Sequence, residues 1–169
     1  MNDRGAVFLW GVPVIALTLA AIYVAPTLAL PDGWGADRVR LGAVCAAAIG
    51  AWLLFAVLQV STHRLFSAGD APGPALSEPT PALRPKLAFL QNTLEQAVLA
   101  AIAYLAFAVT ARDIQLALLP LDVGLFWLGR ACFLFGHAKG MRGRAFGFAL
   151  TFAPTLALYV ILAAKLLAL

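Results

Sequence analysis

Charge is scarce in this chain. Only 12% of its 169 residues are Asp, Glu, Lys or Arg, roughly half the share of a typical soluble domain. With 63% hydrophobic residues and a mean hydropathy of +0.91, this excludes an ordinary soluble domain and leaves a polytopic membrane protein. Cysteine is rarer still: Cys45 and Cys132 both lie inside apolar runs, where the usual role is a small buried hydrophobe and no disulfide is expected. His63 and His137 stand apart without clustered acids or thiols, which argues against a metal centre. The net charge of +4 is concentrated in particular loops, so it bears on membrane orientation and not on nucleic acid.

What the chain has in abundance is apolar runs. Residues 6–30 form the first, closed by the turn signal Pro31-Asp32-Gly33. Thr27-Leu28-Ala29 would pass as a cleavage site, but the run exceeds a signal peptide's apolar region and reads as a span. Residues 41–60 form the second, with Gly42, Ala46 and Gly50 at every fourth position. That stripe is a seam for close helix contact, inside the protomer or between protomers. Residues 61–86 carry Pro72, Pro74, Pro79, Pro81 and Pro85 and read as a loop. His63, Arg64, Arg84 and Lys86 at its ends place it on the cytoplasmic side.

Residues 87–109 are the third span and 114–136 the fourth, after so short a connection that the two are expected to be antiparallel neighbours. Pro120 is expected to bend the fourth. Lys139, Arg142 and Arg144 then make a second basic, cytoplasmic loop, and residues 145–169 form the fifth span, with Lys165 placed to snorkel to the far interface. Five spans put the amino terminus in the cytoplasm and the carboxyl terminus outside. Trp10, Trp34 and Trp52 are assigned to interfacial belts and Trp127 to packing.

The third span carries Gln91, Asn92, Glu95 and Gln96 in its first half. An ionisable group inside a span costs at least ~2.5 kcal/mol, so it is expected to face a protein interior or wet cavity and to have a partner. Asn92 and Glu95, three residues apart, share a helical face. They lie roughly 9 and 13 Å in from Lys86, and Arg130, running the other way, roughly 10 Å in from His137. Arg130 is therefore the expected ion-pair partner of Glu95. Asp122 sits roughly 12 Å further out, towards the Arg112 end, with no partner assigned. On physics alone a structural lock between helices and a site for an anionic ligand are equally supported.

The order of these residues resembles the MAPEG family, the membrane-associated proteins of eicosanoid and glutathione metabolism. The carrying pieces are LQNTLEQ at 90–96 and GRACFLFGHAKGMRGRA at 129–145. The resemblance covers 41–169 and implies an all-α integral membrane protein: a four-helix bundle over 41–169, preceded by an extra transmembrane helix and outer loop at 1–40. It further implies a homotrimer in the bilayer, with glutathione as co-substrate between subunits near the cytoplasmic face. A bacterial-type member would lie in the inner membrane. Asn92 and Glu95 would then meet the polar groups of glutathione, Arg130 would hold the inner end of the site, and Phe133, His137 and Arg142 would line it. Arg144 matches an arginine near the thiol, whose positive field favours a thiolate. The implied activity is a glutathione transferase or peroxidase acting on apolar, membrane-dissolved electrophiles.

Three positions depart from the family pattern. Ala88 stands where an arginine is usual, Phe133 where a tyrosine is common, and His137 where a second tyrosine often lies. They favour the alternative, a non-catalytic lipid-binding or scaffold protein of the same fold.

Overall fold

In hydrocarbon a chain must satisfy its own backbone N–H and C=O groups, and an uninterrupted helix does so within one segment. In a computed structural model, each apolar run is accordingly helical: α1 (Asp3–Val24), α2 (Arg38–Phe66), α3 (Arg84–Thr110), α4 (Leu118–Gly136) and α5 (Gly140–Leu167). The structure describes residues 3–30, 33–34, 37–73, 77–136 and 140–168. All five helices are long and apolar enough to cross a membrane. The protein is an all-α integral membrane protein.

Helices α2 and α3 pack along their length, as do α4 and α5; α3 against α5 and α2 against α4 close a four-membered ring. The connection between α3 and α4 is short but crosses the end of the bundle, so these two lie diagonally and touch little. That overturns the expectation that they are neighbours: the turn at Asp113–Gln115 lets seven residues bridge the diagonal. The extra helix α1 packs mainly on α5, with Trp10 against Phe146 at 5.3 Å between ring centroids.

The buried face of α3 runs Phe89, Thr93, Gln96, Ala97, Ala100, Ala103, Tyr104, Phe107 and Ala108, the three-and-four spacing of a helix with one face in a core. Glycine sets how closely its neighbours approach. A Cβ on Gly42 would meet the Ala108 Cβ at 2.8 Å, so that part of the small-residue stripe is a seam with α3, whereas Gly50 faces open space. The α4–α5 crossing is tighter. A Cβ on Gly147 would lie 2.3 Å from the Phe133 backbone nitrogen, and one on Gly136 would lie 2.0 Å from the Gly143 carbonyl oxygen.

Several boundaries and assignments change. The proline-rich loop is shorter than 61–86, because α2 continues to Phe66 and α3 starts at Arg84. Pro85 occupies the first helical turn, where its missing N–H is harmless. For the same reason Pro120, two residues into α4, starts that helix and does not bend it. Trp52 is not interfacial: at the middle of α2 it packs on Phe55, Phe89 and Trp127, an aromatic cluster that its distance from both helix ends could have indicated.

The loop itself is folded around Asp70, which is 2% exposed. Its carboxylate accepts from the Thr80 backbone N–H at 2.9 Å, the Thr80 hydroxyl at 2.6 Å and the Ser67 hydroxyl at 3.0 Å. His63 Nε2 lies 3.0 Å away. The Thr80 bonds hold the Asp70 carboxyl well below the usual carboxylate range, against the opposing effect of burial.

Candidate functional site

Because α3 and α4 stand diagonally, a side chain linking them must cross the centre of the bundle, and Arg130 does. It is 0% exposed. One guanidinium nitrogen donates to Asn92 Oδ1 on α3 at 2.8 Å, another to Thr151 Oγ1 on α5 at 2.7 Å. The guanidinium carbon lies 4.7 Å from the Phe133 ring centroid and 5.9 Å from that of Phe126, aromatic faces that attract a cation. The Arg130 Nε has no partner among the described residues.

This arrangement depends on the glycine contact. Gly129 and Gly147 let α4 and α5 approach until the Thr151 side chain faces Arg130; a Cβ on Gly129 would lie 2.6 Å from Thr151 Cγ2. Thr151 completes its own bonding by donating to the Phe148 carbonyl at 2.9 Å, while Thr155 donates to the Thr151 carbonyl at 3.0 Å. The hydroxyls thus bond within their own helix, as expected for such residues, but the role of Thr151 as acceptor for Arg130 was not anticipated. Its signal was Gly143, Gly147 and Thr151 at intervals of four, opposite two glycines of α4.

The expected ion pair between Glu95 and Arg130 does not form in the single chain. Glu95 is exposed on α3, where it accepts from Gln91 Nε2 at 2.9 Å. The depth match was correct but the azimuth was not: Asn92 turns inwards and Glu95, three residues on, falls on the outer edge of that face. Arg130 therefore carries a buried positive charge on neutral partners, the half-buried Asn92 amide and the buried Thr151 hydroxyl, while the Glu95 carboxylate stays at the surface.

Phe133 is buried against Phe89, with ring centroids 6.0 Å apart. Arg142 is exposed and Arg144 half-buried in the first turns of α5. Arg144 lies seven residues before Thr151, so the two share a helix face roughly 10 Å apart along the axis. His137 and Lys139 lie outside the described residues. Asp122, to which the sequence assigns no partner, is 3% exposed, inside the bundle, and its Oδ2 has no partner among the described residues.

Fold and geometry together define a helical-bundle integral membrane protein with a cation buried behind a polar patch in one half of the bundle. Residues 42–164 match the MAPEG family. The chain belongs to that family, whose members are membrane proteins of glutathione and eicosanoid metabolism. The match begins within α2, so α1 lies before it. No curated protein and no solved structure matches the chain.

Proposed function

We propose that the protein binds glutathione between the subunits of a homotrimer, in the half of the bundle that holds Arg130, and conjugates or reduces an apolar electrophile dissolved in the bilayer. The observation that carries this reading is the fully buried Arg130 held by neutral groups. An uncompensated guanidinium inside a span is expensive, and an anion arriving at Asn92 would offset that cost. Glutathione suits the pattern. A carboxylate of the tripeptide accepts from the Asn92 amide within the field of Arg130, and its ammonium group meets Glu95. Arg130 acts from behind Asn92 and positions it; Asn92, Glu95 and Arg142 make the contacts, with Phe133 and His137 at the inner wall.

Arg144, on the face that leads down to Thr151, stabilises the thiolate. The thiol releases its proton to solvent, the sulfur lone pair forms the bond to the electrophilic carbon, and the carbon's bond to its leaving group breaks, so that the group departs to solvent as an anion with the bonding pair. In this reading the half that holds Arg130 faces the cytoplasm, with the amino terminus inside and the carboxyl terminus outside, an orientation supported by the basic residues at the end of α2 and the starts of α3 and α5; for a bacterial-type member the membrane is the inner one. Residues 1–40 act as an added helix and loop on the 41–169 bundle.

The test is conjugation of a chromogenic electrophile by the detergent-purified protein. Activity in the parent that is lost in Arg144→Ala supports the transferase. A second reading, a non-catalytic lipid-binding or scaffold protein, is favoured by the burial of Phe133, which offers no hydroxyl, and by Ala88 on exposed α3 surface. Binding of glutathione without conjugation would select it.

A further inference from the structure

At the end of α3 and α5 remote from Arg130, residues of the two helices line an open groove of about 810 Å³. Asn92 and Thr110 are roughly 27 Å apart along α3, so this groove is separate from the site above. Its walls are Ala106 of α3 and Leu162, Ala163 and Leu166 of α5; the two alanines leave the width. Two cations stand at its mouth, Arg112 and Lys165.

The Lys165 ammonium donates to the Thr110 carbonyl at 3.0 Å and to Gln115 Oε1 at 3.1 Å. It sits 5.2 Å from the Phe107 ring centroid. Neutral oxygens thus take two of its three N–H groups. Arg112 is exposed, and the nearby Asp113 carboxylate is committed to Arg38. The charges of Arg38 and Arg112 both act on Lys165. Arg112 and Lys165 thus stand at the opening of an apolar groove that runs into the membrane, next to an Arg38–Asp113 pair that leaves neither of them a carboxylate partner among the described residues.

We propose that the groove holds an anionic phospholipid, with one acyl chain along the walls of α3 and α5 and the phosphate between Arg112 and Lys165. The apolar walls exclude a free phosphate as the preferred occupant, and the paired cations select against a zwitterionic head group. The inference does not rest on the glutathione reading.

Native mass spectrometry of the full chain in mild detergent tests it, with dioleoylphosphatidylglycerol, dioleoylphosphatidylcholine and sn-glycerol 3-phosphate as probes. The phosphatidylglycerol should be retained roughly tenfold more than the phosphatidylcholine, with no retention of glycerol phosphate. Arg112→Gln combined with Lys165→Gln should abolish the preference, and Lys165→Arg should keep it. Ala163→Phe, which fills the groove without touching a charge, should lose the lipid while the assembly keeps its mass. Equal retention of the two lipids, a preference that survives the double substitution, or binding of glycerol phosphate as strong as that of the lipid would overturn the proposal. So would an Ala163→Phe variant that dissociates into protomers with its lipid retained, which would assign the groove to a second copy of the chain.

Discussion

Replacing Gly147 with alanine should disrupt both the α4–α5 contact and the support of Arg130. The new methyl carbon would lie 2.3 Å from the Phe133 nitrogen, 2.5 Å from the Gly129 carbonyl oxygen and 2.7 Å from Phe133 Cα. All three obstructing atoms are backbone, so no rotamer change relieves the clash, and the helices must part by about 1 Å to restore ordinary contact. Overpacking of this kind costs about 1–3 kcal/mol, and backbone on both sides puts it at the upper end. The same separation stretches the 2.7 Å bond from Arg130 to Thr151 beyond hydrogen-bonding range, which adds about 1.5–3 kcal/mol for a charged donor left short of a partner. The combined loss of about 4 kcal/mol corresponds to a fall of about 10 °C in Tm. The assay is thermal unfolding in detergent, followed by tryptophan fluorescence and by the monodisperse fraction on size exclusion. Gly124→Ala is the control, because a Cβ there meets nothing within 4 Å. A Gly147→Ala protein as stable as the Gly124→Ala protein would refute the close-contact argument.

Other perturbations separate the remaining interactions. Asp122→Asn keeps the shape of a buried side chain and removes its charge, so it should raise stability by about 1 kcal/mol or more; a lower Tm would show that the carboxylate has a partner it needs. Asp70→Ala should open the 67–83 loop to limited proteolysis, and an unchanged cleavage pattern would contradict its role as the hub. The pH dependence follows from the lowered Asp70 carboxyl: its contribution is present above the unfolded value near 4 and is lost as pH falls from there towards the folded value. Loop protection, read by the same proteolysis at graded pH, should therefore hold at neutral pH and decline only below about pH 4. The Arg38–Asp113 pair has an Asp113 side chain that is 81% exposed, so Asp113→Asn should shift stability by less than about 1 kcal/mol.

Most of the fold could be read from the sequence because bilayer thickness and backbone hydrogen bonding dictate it. The five runs, the proline-rich connection and the polar stretch on α3 all follow from composition and length. Which helices are neighbours did not follow. A short connection fixes that two helices are antiparallel but not that they pack, and here Gly129 and Gly147 pair α4 with α5 while α3 and α4 take the diagonal. That choice decides the site. Depth along the axis correctly placed Asn92, Glu95 and Arg130 at one level, but azimuth depends on the packing partner, so the inward residue is Asn92 and Glu95 faces out. Asp70 escaped notice because its four partners come from residues 63, 67 and 80, brought together only by the turns of the loop.

The central claim is that the cation buried behind Asn92 serves an anionic ligand. Isothermal calorimetry of glutathione binding to the detergent-purified protein, beside an Arg130→Gln variant shown to be folded and of unchanged oligomeric mass, tests it most directly. Micromolar-to-millimolar binding in the parent and none in the variant is the expected result. Binding of equal strength in both, or no binding to either, would contradict it and leave Arg130 as a lock between α3, α4 and α5.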